Sequence, residues 1–256
     1  MSDLVLPEWD RERGVATLTL NSVANRNALS RGLLDGLLDL LGQAEDDAAV
    51  RVVVLRANGP AFCSGADLTA ARSGSMTPIV RGIVQVQQRI VTLGKPVVAR
   101  VHGAVRAGGL GLVAAADIAV GARESTYAFT EVRLGLAAAA ISLTVLPRLG
   151  ERAAADYFLT GRVFDGATAA RIGLLTRAVP QAELDAAVDA VVGELLQGSA
   201  QGLRATKALL TAGLRRRVEE LGPQMIDLSA ELFASDEARR AMEVLLARGR
   251  PARPPA

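Results

Sequence analysis

The 256-residue sequence has one cysteine, one histidine and few aromatic side chains, and each scarcity removes a class of protein. Cys63 cannot pair within the chain, so no disulfide framework holds it, and a reducing, cytoplasmic setting is expected. Cys63 and His102 cannot fill a metal site without carboxylates, and these show no suitable clustering. Aromatic residues make up 3%, too few for the stacking platforms of single-stranded nucleic-acid binders. Charge of one sign is also missing: 29 bases face 27 acids, a net charge of +2, so no polyanionic partner is implied. No apolar run approaches the roughly 18 residues of a membrane span, the longest being Leu134 to Leu146. The N-terminal stretch from Met1 to Asp10 lacks the basic start and apolar core of a secretory signal. Neither nucleic acid nor membrane is an expected partner.

What is present is a globular composition, 50% hydrophobic and 22% charged, sufficient for one large domain or two small ones. The first two-thirds alternate β-rich runs with helical patterns. Val15 to Leu20, Val50 to Leu55, Pro96 to Val101 and Asp117 to Val120 read as strands. An amphipathic helix is predicted from Arg31 to Ala44, with Ser30 as its N-cap, and another from Val80 to Thr92. Strands alternating with helices imply parallel pairing through crossovers. After about Pro180 the texture becomes all-helical: Gln181 to Leu196, Gly202 to Leu214, Met225 to Phe233 and Asp236 to Ala247. The basic runs Arg215–Arg217 and Arg248–Arg253 read as a solvated helix face and a fraying terminus, the latter with the alternative of holding a ligand phosphate.

Two loops carry backbone donors. Ala61-Phe62-Cys63-Ser64-Gly65-Ala66-Asp67-Leu68 follows a strand and the turn Asn58-Gly59-Pro60. Its small residues let main chain come close to a ligand, and Gly65 can take dihedrals denied to other residues. His102 to Gly111 reads as a strand, a glycine-rich turn and a helix start, where unpaired N–H groups and the helix dipole stabilise negative charge. Either cluster alone could be only a tight turn. Gly109 to Ala114 fits G-x-G-x-x-A, yet seven residues separate it from the preceding strand and no acidic residue follows at the expected distance. A dinucleotide site is therefore disfavoured. Cys63 and His102 as nucleophile and base would rest on one coincidence; a buried thiol and a strand-end imidazole are the plainer reading.

Five strings in register extend this reading: NRNALS (Asn25 to Ser30), AFCSGADL (Ala61 to Leu68), HGAVRAGGLGLVAAADIAV (His102 to Val120), FTEVRLGL (Phe129 to Leu136) and Gly150 to Pro180. In order and spacing they resemble the crotonase, or enoyl-CoA hydratase/isomerase, superfamily, with local text most similar to its methylglutaconyl-CoA hydratase-like branch. The resemblance implies an α/β fold, a crotonase-like spiral of ββα units with a C-terminal helical region. It divides the chain into a spiral core over 1–195 and a helical trimerisation region over 196–256. It implies an acyl-CoA thioester substrate, no cofactor beyond the coenzyme A of that substrate, and a homotrimer or dimer of trimers serving fatty acid metabolism.

By motif position, the amides of Ala66 and Gly108 would form an oxyanion hole for the thioester enolate. Such donors must lie about 2.7–3.1 Å from the oxygen, which explains the small residues. Glu131 matches one of the two glutamates of the well-known hydratases and is the candidate general acid and base. The other position is Gly111, and Ile141 stands where many relatives have glycine. The resemblance assigns coenzyme A contacts to Arg26, Ala28, Ser64, Asp67 and Leu68, with Gly111 and Leu134 along the substrate. Asp67 has the alternative of a helix cap. Ser142 either holds a water in place of the missing glutamate or is an ordinary helix-start serine, and Arg248 and Arg250 would reach a neighbouring subunit. A single carboxylate suits an isomerase, which takes and returns one proton; the local text favours a hydratase. A non-catalytic acyl-CoA binder stays open because of Gly111.

Overall fold

A computed structural model of the chain describes residues 4–69 and 75–248. Strand β1 (Val5–Asp10) folds back on β2 (Val15–Leu20) as an antiparallel hairpin, and β2 then pairs in parallel with β3 (Val52–Ala57). Helix α1 (Arg31–Asp46) makes the crossover between them. Ser30 caps it by accepting the Leu33 N–H at 3.3 Å, and Leu33, Leu34, Leu37 and Leu41 are buried along its inner face. Each such leucine contributes about 1.5–3 kcal/mol by leaving water.

Beyond β3 a unit repeats. A long strand is followed by a short strand in a second sheet and then by a helix. β3, β4 (Ala61–Cys63) and α2 (Thr77–Thr92) form one such unit. β5 (Val97–Val101), β6 (Ala104–Arg106) and α3 (Gly108–Ala115) form the next, and β7 (Ile118–Ala122) and β8 (Thr126–Ala128) begin another. Later come α4 (Ala139–Val145), α5 (Glu151–Thr160), β9 (Phe164–Asp165), α6 (Gly166–Arg171) and β10 (Arg177–Val179). The long strands build a six-stranded sheet in the order β1-β2-β3-β5-β7-β10, and the short ones a four-stranded sheet, β4-β6-β8-β9. This is the α/β spiral of ββα units expected from the sequence.

The short strands carry the functional consequence. β4, β6 and β8 are parallel neighbours, with Cys63 beside Val105 and Arg106 beside Ala128. Parallel neighbours present their carboxyl ends on one edge, so the loops after all three strands meet there. The third loop is anchored from behind by aromatic packing. Phe129 is fully buried, 4.2 Å ring to ring from Phe158, while Tyr127 and Tyr157 both stack near Phe164.

The C-terminal third is α7 (Leu184–Gln197), α8 (Ala200–Ala234) and α9 (Asp236–Arg248). The two helices expected at Gly202 to Leu214 and Met225 to Phe233 are one continuous 35-residue helix with Pro223 inside it. An interior proline costs about 3 kcal/mol. Continuity survives because α8 packs on the core around it, with Val218, Leu221, Met225 and Ile226 meeting Val80, Val84, Ala140 and Leu143. A buried ion pair fastens its first half. Lys207 Nζ lies 2.7 Å from Asp117 Oδ2 and donates to the carbonyls of Ile90 and Lys95. Among the described residues no helix is long and apolar enough to cross a membrane.

Candidate active site

The loop after β4 is zipped to the segment before α1. Ser64 N donates to Arg26 O at 3.0 Å, Leu29 N to Gly65 O at 2.8 Å, and Asp67 N to Leu29 O at 3.2 Å. The last two bonds are the parallel bridge of Leu29 with Ala66. In such a bridge Leu29 makes both bonds, so the amide of Ala66 itself points away from Leu29. It points toward the loop after β6: a β-carbon built on Gly108 would lie 3.7 Å from the Ala66 nitrogen. Gly108 is the first residue of α3, so its N–H has no acceptor within the helix. The two amides are therefore neighbours at one spot.

Backbone strain holds them there. Gly65 has φ +95°, and a β-carbon on it would come within 2.9 Å of the Ala107 methyl. Ala107, which precedes Gly108, has φ 46° and ψ −120°, a region that costs a residue with a side chain about 1–3 kcal/mol. A β-carbon on Gly108 would meet Leu29 Cδ1 at 2.9 Å and Ile83 Cδ1 at 3.2 Å. Only glycine lets the main chain sit this close.

Ala66 and Gly108 line a cleft together with Ser64, Leu68, Leu134, Phe233 and the run from Ala137 to Ile141. Thr130 and Glu131, in the loop after β8, complete the wall. Glu131 as a residue is only half-buried, but its Oε2 is sealed from solvent and has no hydrogen-bond partner among the described residues. Burial lifts its pKa from 4.5 to about 7, against a smaller lowering by its own backbone amide. A carboxyl group poised near neutrality can both accept and return a proton.

Of the residues the sequence singled out, the cleft thus gathers Glu131, Ala66, Gly108, Ser64, Leu68 and Leu134. Others fall elsewhere. Gly111 is a correction: it is buried off the cleft wall, and a β-carbon there would lie 2.7 Å from Ile141 Cγ2 and 3.1 Å from Gln87 Cδ and Oε1. Ile141 occupies the space a side chain at 111 would need, so the two departures from the family pattern are one packing exchange. Gln87 is fully committed there, donating to Ile83 O and Ala140 O and accepting from Thr144 Oγ1 at 2.6 Å.

Ser142 follows the ordinary-serine reading, since its hydroxyl donates to Ala139 O at 2.7 Å inside α4 and faces Met225, off the cleft wall. Asp67 is turned to its own loop, accepting from Thr69 N and Thr69 Oγ1. Ala28 is buried and Arg26 is exposed, and neither lines the cleft. Between them sits buried Asn27, for which the sequence offers no local signal. Its side chain binds Asn58 O, Ala61 O and Ser22 N, tying the segment to the start of β4. Arg250 lies outside the described residues, and Arg248 ends α9. Cys63 is fully buried, its thiol pushed up to about 12 by burial, and His102 bonds Arg100 and Gly59 O, so no nucleophile pair forms.

Thr130, Ser229 and Phe233 are cleft residues that sequence reasoning missed. The last two come from α8, whose contribution no local pattern announces. Helix α9 closes the same end: Ala238 and Met242 pack with Leu134, Leu136 and Leu68, and Leu245 reaches the cleft.

Ala66 and Gly108 at two strand ends thus share one apolar cleft with the buried carboxyl of Glu131. A family model described as enoyl-CoA hydratase/isomerase matches residues 10–252. The chain belongs to that family. It is 36% identical over 208 residues to a Thermus thermophilus protein provisionally named an enoyl-CoA hydratase, covering 78% of this chain and 82% of that one. It is 32% identical over 177 residues to the mitochondrial methylglutaconyl-CoA hydratase of Mus musculus, covering 67% and 56%. Among solved structures, an enoyl-CoA hydratase from Mycobacterium avium superposes with a TM-score of 0.89 at 46% identity, covering 98% of this chain and 99% of that one.

Proposed function

We propose that this chain is an enoyl-CoA hydratase, adding water across the 2,3 double bond of an enoyl-CoA thioester. The thioester oxygen would accept the amides of Ala66 and Gly108, which stabilise the enolate as charge builds on it. The Glu131 carboxylate would take a proton from water as the water oxygen bonds to carbon 3. The π electrons move into the enolate, and Glu131 then returns the proton to carbon 2, so one water is consumed and no other reagent. The observation that carries this reading is the buried, unpartnered Glu131 carboxyl, raised to about 7, in the cleft that Ala66 and Gly108 also line.

Coenzyme A would run past Ser64 and Leu68, with Arg26 and Ala28 beside that loop, Asp67 steadying it and Leu134 along the acyl chain. Exposed Arg26 is free to meet a phosphate. No cofactor is required. A cytoplasmic setting and a homotrimer or dimer of trimers complete the proposal. Leu209 and Leu210, each 80% exposed on α8, offer an apolar surface for assembly.

The single carboxylate in the cleft among the described residues favours a second reading, an isomerase moving the double bond between positions 3 and 2. Purified protein offered 2-enoyl-CoA and 3-enoyl-CoA thioesters decides between them. Consumption of the former with formation of 3-hydroxyacyl-CoA supports the hydratase. Consumption of the latter alone supports the isomerase, and binding without turnover of either leaves an acyl-CoA binder.

A further inference from the structure

Water addition asks for something isomerisation does not: a second group that fixes the attacking water while the base takes its proton. Position 111 cannot supply it, because Ile141 and Gln87 fill the space in front of Gly111. Gln87 itself is saturated by Ile83 O, Ala140 O and Thr144, and Ser142 by Ala139 O. Among the described residues, the polar side chains on the cleft wall are Ser64, Thr130, Glu131 and Ser229. The Ser64 hydroxyl is already donated to Asn25 O at 3.1 Å. Thr130 is half-buried, less enclosed than Ser229.

Several helical hydroxyls are satisfied by their own helix. Thr92, Thr160 and Thr211 each bond back to the carbonyl four residues earlier. The Ser229 hydroxyl makes no such bond and has no protein partner among the described residues, although the residue is only 4% exposed. It lies one helical turn before Phe233, and both line the cleft. Unlike Glu131 Oε2, the Ser229 hydroxyl is not sealed from solvent, so it is open to a molecule in the cleft that the residue lines.

We propose that Ser229 holds the attacking water. The water would donate one hydrogen to Glu131 and the other to Ser229 Oγ, leaving a lone pair for carbon 3 of the substrate. Helix α8 thereby supplies from the C-terminal region the water-binding group that position 111 no longer provides. The inference rests on the hydratase reading above.

The test compares wild type with Ser229→Ala and Ser229→Thr for hydration of a 2-enoyl-CoA, dehydration of the matching 3-hydroxyacyl-CoA, and affinity for a saturated acyl-CoA. Ser229→Ala should lower kcat of both directions by the same factor, on the order of 10- to 100-fold, while saturated acyl-CoA Kd and KM move less than about threefold. Ser229→Thr should recover most of the loss by restoring a hydroxyl. An unchanged kcat in Ser229→Ala overturns the assignment to Ser229, as does a loss matched by weaker saturated acyl-CoA binding, which marks a packing role. Wild-type protein that hydrates no enoyl-CoA overturns the parent reading, and Ser229 falls with it.

Discussion

Glu131 carries two opposed demands, since the burial that suits it to proton transfer works against the fold. Its carboxyl titrates at about 7 when folded, against an ordinary value of 4.5 that an unfolded chain would restore. Between those values the folded chain binds more protons than the unfolded one, so its stability falls as pH rises through this window. Above it the penalty is at most about 3.5 kcal/mol, from roughly 1.4 kcal/mol per pH unit. Glu131→Gln should therefore raise the melting temperature at pH 8 and leave it nearly unchanged at pH 4, while hydration falls by about 10²- to 10⁴-fold. A second prediction concerns Gly108, whose added methyl would strike Leu29 and Ile83. Gly108→Ala should cut kcat by about 10²-fold or more by displacing an oxyanion donor, with a smaller change in KM.

Elements explain what single residues do not. β4, β6 and β8 pair in parallel, and that pairing alone converts three segments separated by some 65 positions into one site. The alternation of strands and helices is legible in the sequence because β-branched runs and capped amphipathic helices are local signals. The three-residue strands are not, since so short a run shows no period. The 35-residue α8 reads as two pieces because Pro223 is a local breaker, overridden here by packing on both sides of it. Gly111 and Ile141 each stand out in the sequence, but their contact does not; thirty residues apart, they meet only through the packing of α3 against α4. That contact predicts a rescue. Gly111→Glu alone should lose about 1–3 kcal/mol or more through overpacking and a buried charge, and adding Ile141→Gly should recover a measurable part of it. Denaturation midpoints of the two variants check this; equal midpoints would separate the two positions.

At the scale of the molecule, the C-terminal third is a wall of the site rather than an appendage. Ser229, Phe233 and Leu245 reach the cleft from α8 and α9, and Lys207 pins α8 to the core through Asp117. Lys207→Ala should lower the unfolding midpoint by removing the charged partner of half-buried Asp117, which retains the Val97 amide. Saturated acyl-CoA should slow amide hydrogen exchange in α9, whose Ala238 and Met242 pack against Leu134 and Leu136. The loops that line the cleft are visible in the sequence because their glycines and lone glutamate sit in recognisable strings. The helix that covers them is not, because surface-to-cleft facing is decided by tertiary docking.

Proton transfer by a single carboxylate is tested most directly by the pH profile of kcat/KM for 2-enoyl-CoA hydration. Wild-type kcat/KM should climb to a plateau with an inflection at about pH 7, and Glu131→Gln should be flat and at least about 100-fold lower. A wild-type profile without that inflection, or a Glu131→Gln enzyme as fast as wild type, would contradict it.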